Sequence, residues 1–289
     1  MSPQPTYFDA LTILLPFIAG AFGLLIGSFL NVCIVRLPKE ESIVTPRSHC
    51  VHCGHQITWY ENVPLASFLY LRGKCSGCGT RISPLYFWTE LTTGVLFAGL
   101  AVFFGPALEF FKFAVLGALM LALTVTDLRD RILPDELTLA GLLFGVAFSI
   151  VIPVADGTAK WLTHFLGPSF ATWPAPMISA LDSLLGAAAG GGMLWLVREA
   201  YFRWRHVEGM GFGDLKLMAA IGAFLGFKLT LLTIFLGAFT GAIIGGAFIL
   251  LARNRDSAYE LPFGSFLGVA AMIAALWGKG MVEWYVSRF

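Results

Sequence analysis

Eight stretches of this chain are apolar over roughly the 20 residues that an α-helix needs to cross the hydrocarbon of a bilayer, and they constrain its fold more than anything else in it. They run near Leu11 to Val35, Leu85 to Phe104, Leu108 to Thr126, Leu137 to Val154, Ile178 to Leu196, Leu215 to Gly226, Leu229 to Leu251 and Pro262 to Trp277. The sixth is short and reads as partly re-entrant. Only 13% of the 289 residues are charged while 57% are hydrophobic, and 26 Phe and 32 Gly accompany the runs. That composition excludes a soluble enzyme, a disordered chain and a disulfide-built secreted scaffold. With a net charge of +1, no basic field points to nucleic acid as a partner. The expected fold is an all-α polytopic membrane protein of about eight transmembrane helices with one hydrophilic loop domain.

Orientation follows from Lys and Arg, which are retained on the cytoplasmic side of spans. With the N-terminus outside, only Lys112, Lys160, Lys228, Lys279 and Arg288 of the 19 basic residues fall outside. Arg253 and Arg255 are among the 14 that fall inside. Eight spans with both termini outside are therefore expected. The first run has no positive residue before it and no small-residue cleavage site after it, so it reads as a retained span rather than a signal peptide. No internal repeat is seen, and Asp156 to Pro176 reads as an outside loop.

The large hydrophilic insertion, Leu37 to Pro84, contains Cys50-Val-His-Cys53 and Cys75-Ser-Gly-Cys78, each pair followed by glycine. Two such knuckles present four thiolates tetrahedrally to one Zn²⁺, and a reducing cytoplasm disfavours disulfides. Four filled positions leave none for water, so the metal is expected to hold the loop together rather than catalyse. His49, His52 and His55 lie among the ligands; one could replace a thiolate, but they read as surface polar residues. Cys33, alone in an apolar run, reads as a small core residue.

Two aspartates fall at the inner ends of runs. Asp127 closes the third, and Asp214 follows Gly209-Met-Gly211-Phe-Gly213 and opens the sixth. Carboxylates held close cannot both ionise, so one stays an acid while the other is the base that activates water, and peptide hydrolysis needs no metal. Asp214 also suits a helix N-cap. Capping does not require three alternating glycines, which leave room for a substrate backbone and permit unusual backbone angles. Asp135, after Pro134, reads as the N-cap of the fourth span, and Asp130, between Arg129 and Arg131, as a solvated charge.

These residues resemble the bacterial type IV prepilin peptidases over almost the whole chain. The resemblance is carried by Gly27-Ser-Phe-Leu-Asn-Val32 with Arg36-Leu-Pro38, by Pro46-Arg-Ser48, and by Trp59-Tyr-Glu-Asn-Val-Pro64. It continues with Arg72-Gly-Lys-Cys75, Ile82-Ser83, Tyr86 and Glu90, then Asp127 with Leu133-Pro-Asp135. It closes with Gly209-Met-Gly-Phe-Gly-Asp214-Leu-Lys216 and Leu261-Pro-Phe-Gly264.

The resemblance implies a bifunctional membrane aspartyl protease that removes the basic leader of type IV prepilins and type II secretion pseudopilins. It cuts after a glycine at the cytoplasmic face, then N-methylates the new terminal residue with S-adenosylmethionine. The implied catalytic pair is Asp127 and Asp214; the implied zinc ligands are Cys50, Cys53, Cys75 and Cys78, in a loop associated with methyl transfer. The implied organisation is a first transmembrane helix over 1–36, the zinc loop over 37–84 and a peptidase domain over 85–289, with prepilins, pseudopilins and membrane lipid as partners. Two positions depart from the family pattern: Phe87 and Ser265 stand where Pro is usual. Neither is expected to touch the aspartates; both are expected to bear on methylation more than on cleavage.

Glu208 and Lys216 flank the glycine motif and either orient substrate or anchor the interface. Glu90 is a weak candidate for the base in methyl transfer, with a buried carboxylate paired to Arg as the alternative. No glycine-rich nucleotide loop appears, so the methyl-donor site is not located. Two further readings compete: a transporter with ion-coupling aspartates, expected near the bilayer midplane, and a non-catalytic assembly factor that docks through the zinc loop. A peptidase without methyltransferase activity is a narrower form of the first reading.

Overall fold

The computed structural model describes residues 7–154, 156–166, 173–207, 209–251 and 262–288. Glu208, Arg253, Arg255, Leu261 and part of the loop between Asp156 and Pro176 lie outside them. Among the described residues the chain is helical and forms no strand, only two isolated bridges in the cysteine loop. The helices are α1 Tyr7–Arg36, α2 Ala66–Tyr70, α3 Pro84–Phe104, α4 Leu108–Asp130, α5 Asp135–Val151, α6 Thr158–Leu166, α7 Ala175–Arg205, α8 Phe212–Leu225, α9 Phe227–Leu251 and α10 Phe263–Val286.

Each of the eight apolar runs yields one helix. Six (α1, α3, α4, α7, α9 and α10) are long and apolar enough to cross a membrane. The other two, α5 and α8, have 17 and 14 residues, short of the approximately 20 a full crossing takes, so a count of eight is not established. Helix α6 is an addition: nine residues with Trp161 stacked on Phe165, in a stretch read as a loop from its Trp and Pro content.

The chain divides into two compact units, Met1–Ala122 and Leu123–Phe289. In the first, α1 packs along α3 through small residues. A side chain at Gly23 would meet Phe97 at 2.8 Å, and one at Gly27 would meet the Glu90 backbone at 2.7 Å. Without a hydrophobic drive between helices in lipid, such close backbone approach supplies the packing energy.

In the second unit α8 lies in the middle, touched by α5, α7, α9 and α10. Its residues from Leu217 to Leu225 are apolar all round, and most are buried, the pattern of a helix enclosed by others. Gly186 and Gly190 of α7 sit directly on the backbone carbonyls of Gly222 and Met218 in α8. Hydrogen bonds mark the far level of this unit. Asp156 accepts from the Phe227 N–H that starts α9 at 2.8 Å, Asp182 of α7 accepts from Ala159 at 2.6 Å, and Ser179 of α7 accepts from Val154 at 2.8 Å. Asp127, Asp135, Arg198 and Asp214 mark the near level, described next. Short as they are, α5 and α8 run between the same two levels as α7.

Candidate active site and metal centre

Asp127 and Asp214 meet at the start of α10. Gly264 is the meeting point: a methyl group added there would lie 3.1 Å from Asp127 Oδ2 and 3.2 Å from Asp214 Oδ1. The two oxygens are thus within the range of about 4–6 Å, or little beyond it, over which neighbouring charges act on one another. Asp214 feels the charge of Asp127. Asp127 is buried, at 6% exposure, and ends the buried stretch of α4.

Around the pair the structure explains what spacing left open. Leu133 fills the space beside both glycines: a side chain at Gly213 would strike its Cβ at 2.9 Å, and one at Gly264 its Cδ1 at 3.0 Å. Gly209 abuts the Tyr201 ring at 2.7 Å, while Gly211 has open space beside it. Packing thus accounts for two of the motif glycines. Neither Gly211 nor Gly213 has left-handed backbone angles, so the expectation of unusual angles is corrected at those two. The motif loop is tied down by Arg198 of α7, which donates to the Met210 carbonyl at 3.2 Å and lies over the Phe212 ring at 4.1 Å.

Asp214 is the third residue of α8, whose N-cap is Gly211, so it does not cap the helix. Asp135 is not the N-cap of α5 either, because Pro134 is; its carboxylate instead takes both oxygens to Lys216 Nζ at 2.7 Å. Lys216 was expected to orient substrate or anchor the interface, and this bridge ties it to α5. Asp130 is exposed beside Arg129, as expected.

Ser265 is the residue the sequence reading missed. It was expected not to touch the aspartates, yet its N–H donates to Asp127 Oδ2 at 2.6 Å and its hydroxyl to the same oxygen at 2.9 Å. The 138 positions between them hid the contact. The only signal in the chain was that a polar residue follows a glycine at the start of an apolar run.

The four cysteines lie in the other unit. All four Sγ atoms are within 4.8 Å of one another, and the pairs Cys50–Cys78 and Cys53–Cys75 are 3.9 Å apart. Zinc–sulfur bonds of about 2.3 Å give a tetrahedron with sulfur–sulfur edges of about 3.8 Å, so the cage fits a tetrahedral metal. The two knuckles share one construction. Cys50 N–H donates to the His55 carbonyl and Gly54 N–H to Cys50, just as Cys75 donates to Thr80 and Gly79 to Cys75. Gly54 and Gly79 have φ of 72° and 71°, which is why a glycine follows each pair.

Hydrogen bonds from the Thr80 hydroxyl and amide lower the Cys78 thiol to about 6. At Cys53 the His55 amide lowers the value, but desolvation and the other three sulfurs push it up to about 11. Four clustered sulfurs cannot all ionise without a cation among them. The histidines are not among the clustered ligands. His49 faces the Arg47 carbonyl, and His55 reaches Glu61 Oε2 at 3.1 Å.

Glu61 is a second residue the sequence reading did not single out. It joins the knuckles, accepting from Ser76 of the second, from His55 beside the first, and from the Thr58 N–H and hydroxyl at 2.8 Å each. Those bonds, led by Ser76, hold its carboxyl down at about 2. Glu90 is buried on α3 and takes the Leu65 N–H at 2.9 Å and the Ser28 hydroxyl. Among the described residues no arginine pairs with it. Leu65 has φ of 58°, strained for a side-chain-bearing residue, and the buried carboxylate holds its amide there. Phe87 packs on Phe68 of α2 at 5.4 Å, and Cys33 is buried, as expected.

Six helices long and apolar enough to cross a membrane, with two carboxylates brought together at helix ends, define the class as a polytopic membrane protein. Residues 21–104 match the bacterial peptidase A24 N-terminal domain, and residues 114–246 the type IV leader peptidase family. A prepilin leader peptidase/N-methyltransferase of Aeromonas hydrophila is 35% identical over 93% of this chain and 92% of its own. One of the same name from Pseudomonas aeruginosa is 34% identical over 99% and 96%, and one from Myxococcus xanthus 38% over 88% and 68%. No solved structure matches the chain. The chain belongs to the type IV leader peptidase family, and it is a multi-pass membrane enzyme.

Proposed function

We propose that this protein cleaves the basic leader from type IV prepilins and type II secretion pseudopilins and then N-methylates the new terminal residue, with S-adenosylmethionine as methyl donor. The observation that carries the reading is the meeting of Asp127 and Asp214 at Gly264 in a chain of this family. Zn²⁺ held by Cys50, Cys53, Cys75 and Cys78 is the structural metal of the loop, which serves methyl transfer; when bound it fixes the two knuckles to each other. Residues 1–36, 37–84 and 85–289 then act as first span, zinc loop and peptidase domain. Neither the methyl-donor site nor the base for methyl transfer is assigned.

In the cleavage step one carboxylate takes a proton from water as its oxygen attacks the scissile carbonyl, while the protonated partner gives its proton to the carbonyl oxygen. Collapse of the tetrahedral intermediate breaks the C–N bond, and the first carboxylate returns its proton to the leaving amine. Gly211, with open space beside it, is where a substrate backbone can approach the pair.

The reading places the protein in the inner membrane with the site and the zinc loop on the cytoplasmic side, both termini outside, and α5 and α8 as crossings. The 14-to-5 division of basic residues and the shared levels of α5, α7 and α8 support it. A prepilin brings an apolar helix into the bilayer beside its leader, which sets its scissile bond at that surface. Both aspartates sit at helix ends, Asp127 in the last turn of α4 and Asp214 in the first of α8, which speaks against a midplane ion-coupling role.

The test is intact-mass spectrometry of a prepilin incubated with the purified protein, with and without S-adenosylmethionine, beside Asp127→Asn and Asp214→Asn. The expected result is loss of the leader plus one methyl group, with both absent in either variant because no amine is freed. Cleavage without methylation reduces the protein to a peptidase, and an uncut substrate removes the reading.

A further inference from the structure

The proposed cleavage needs one aspartate to hold a proton and the other to lack it, and the surroundings of the two are unequal. Asp127 Oδ2 accepts two hydrogen bonds from one residue, the Ser265 N–H at 2.6 Å and the Ser265 hydroxyl at 2.9 Å. The hydroxyl is also 3.2 Å from the Thr124 carbonyl, so its proton has acceptors on both sides. The amide cannot turn round: whichever way the hydroxyl points, an N–H faces Oδ2, and that oxygen must accept. Ser265 is the third residue of α10, one of the first-turn amides that a helix leaves unpaired and that favour an anion. Asp214 accepts no hydrogen bond among the described residues.

On the cleavage reading above, we propose that Ser265 is a positioning residue that assigns the two roles. It holds Asp127 as the carboxylate that takes the proton from water and leaves the proton of the pair on Asp214, which gives it to the scissile carbonyl. Hydrogen bonds to the charged form favour that form, and both fall on a single oxygen of one partner.

The other charges near Asp127 are few. From its own helix and the turn after it come Arg129, Asp130 and Arg131, and the Arg131 charge acts on it. Lys216 of α8 is engaged with Asp135 of α5. The first turn of α10 carries no titratable group, and Leu133 is the apolar neighbour. Proline in place of Ser265 would offer neither donor, while a first-turn position tolerates its ring.

The experiment is the pH profile of kcat/KM for leader cleavage by the full-length protein in lipid nanodiscs, for wild type, Ser265→Ala, Ser265→Pro and Ser265→Thr. Alanine removes the hydroxyl, proline removes both donors, and threonine keeps both. The acidic limb is expected to move to higher pH by about one unit for alanine and further for proline, with threonine as wild type. At the wild-type midpoint the proline variant then loses about tenfold in rate or more.

Carboxyl infrared spectra at neutral pH supply a second measurement, in which the protonated-acid band is expected to vanish in Asp214→Asn and persist in Asp127→Asn. Unmoved limbs in both the alanine and proline variants overturn the proposal. So does a threonine shift equal to that of alanine, which makes the effect one of packing. So does an acid band that disappears only with Asp127. If proline prevents folding, judged by lost methylation of a leaderless pilin, alanine and threonine decide alone. Failure of the wild type to cut any prepilin is a different result, which removes the cleavage reading itself.

Discussion

The four sulfurs and the two carboxylates are both clusters of groups that repel one another when ionised, and the protein holds them by opposite means. Each knuckle is a short turn with its own backbone hydrogen bonds, open to water, and Glu61, together with the contact between Ser76 and His55, stitches the turns together. The carboxylates have no local scaffold. Three helices and Leu133 bring them together, with glycine wherever a side chain would intrude. On the proposed function a cation settles the charge of the sulfurs, whereas a shared proton settles that of the carboxylates. The first arrangement is then expected to be sensitive to its ion and tolerant of its neighbours, and the second the reverse.

The largest expected effect breaks one side of that contrast and spares the other. Asp127→Asn or Asp214→Asn is expected to lower leader cleavage by about 10²–10⁴-fold or more while bound metal, read by elemental analysis, stays at wild-type stoichiometry. Loss of metal in either variant would show that the two clusters are not independent.

Next comes Gly264→Ala. A methyl group 3.1 and 3.2 Å from the two oxygens requires them to give by a few tenths of an ångström, and a displacement of that size is expected to cost cleavage up to about tenfold. Full activity in that variant would mean that the pair has slack the packing does not suggest. Conversely, Cys75→Ser or a strong chelator is expected to lower metal content and methylation and leave cleavage within a few-fold. Unchanged metal stoichiometry in Cys75→Ser would bring one of the histidines in as a ligand.

Glu61→Gln is expected to act more gently, raising the rate at which a chelator strips the metal by a few-fold. The wild-type bonds at Glu61 have a definite pH window. Its folded value, about 2, lies below the ordinary carboxylate range, so the stitching is fully present above that range and is lost only as pH falls through about 2. Metal release between pH 8 and 5 should therefore follow the thiols, and carboxyl signals of Glu61 moving in that interval would contradict this. The smallest effect is reserved for Lys216→Ala. Its bridge to Asp135 is exposed at both ends, 40% and 57%, and such pairs contribute about 0–1 kcal/mol, so thermal stability should hardly move.

The cysteine cage was legible in the chain because its ligands come in two pairs only a few turns apart and each glycine marks a backbone angle. The helices were legible because lipid imposes a length and a composition that no other fold needs. What escaped was non-local. Asp135 looked like a cap because its true partner, Lys216, is 81 positions away, and Ser265 looked irrelevant because 138 positions separate it from Asp127. The glycine motif was read as making room for substrate, but Tyr201 and Leu133 occupy the space beside two of its members, and neither has a spacing that announces it.

Glu90 and Phe87 both belong to the opening turns of α3, and both reach back to grip the cysteine loop, one by the Leu65 amide and the other by the Phe68 ring. The boundary drawn by hydrophilicity at Pro84 is therefore not a seam along which the protein can be cut. A loop transplanted between relatives as residues 37–84 would arrive without its moorings. Carried with two more turns of helix, it would keep them, and for this module the smallest transferable part includes a piece of the membrane.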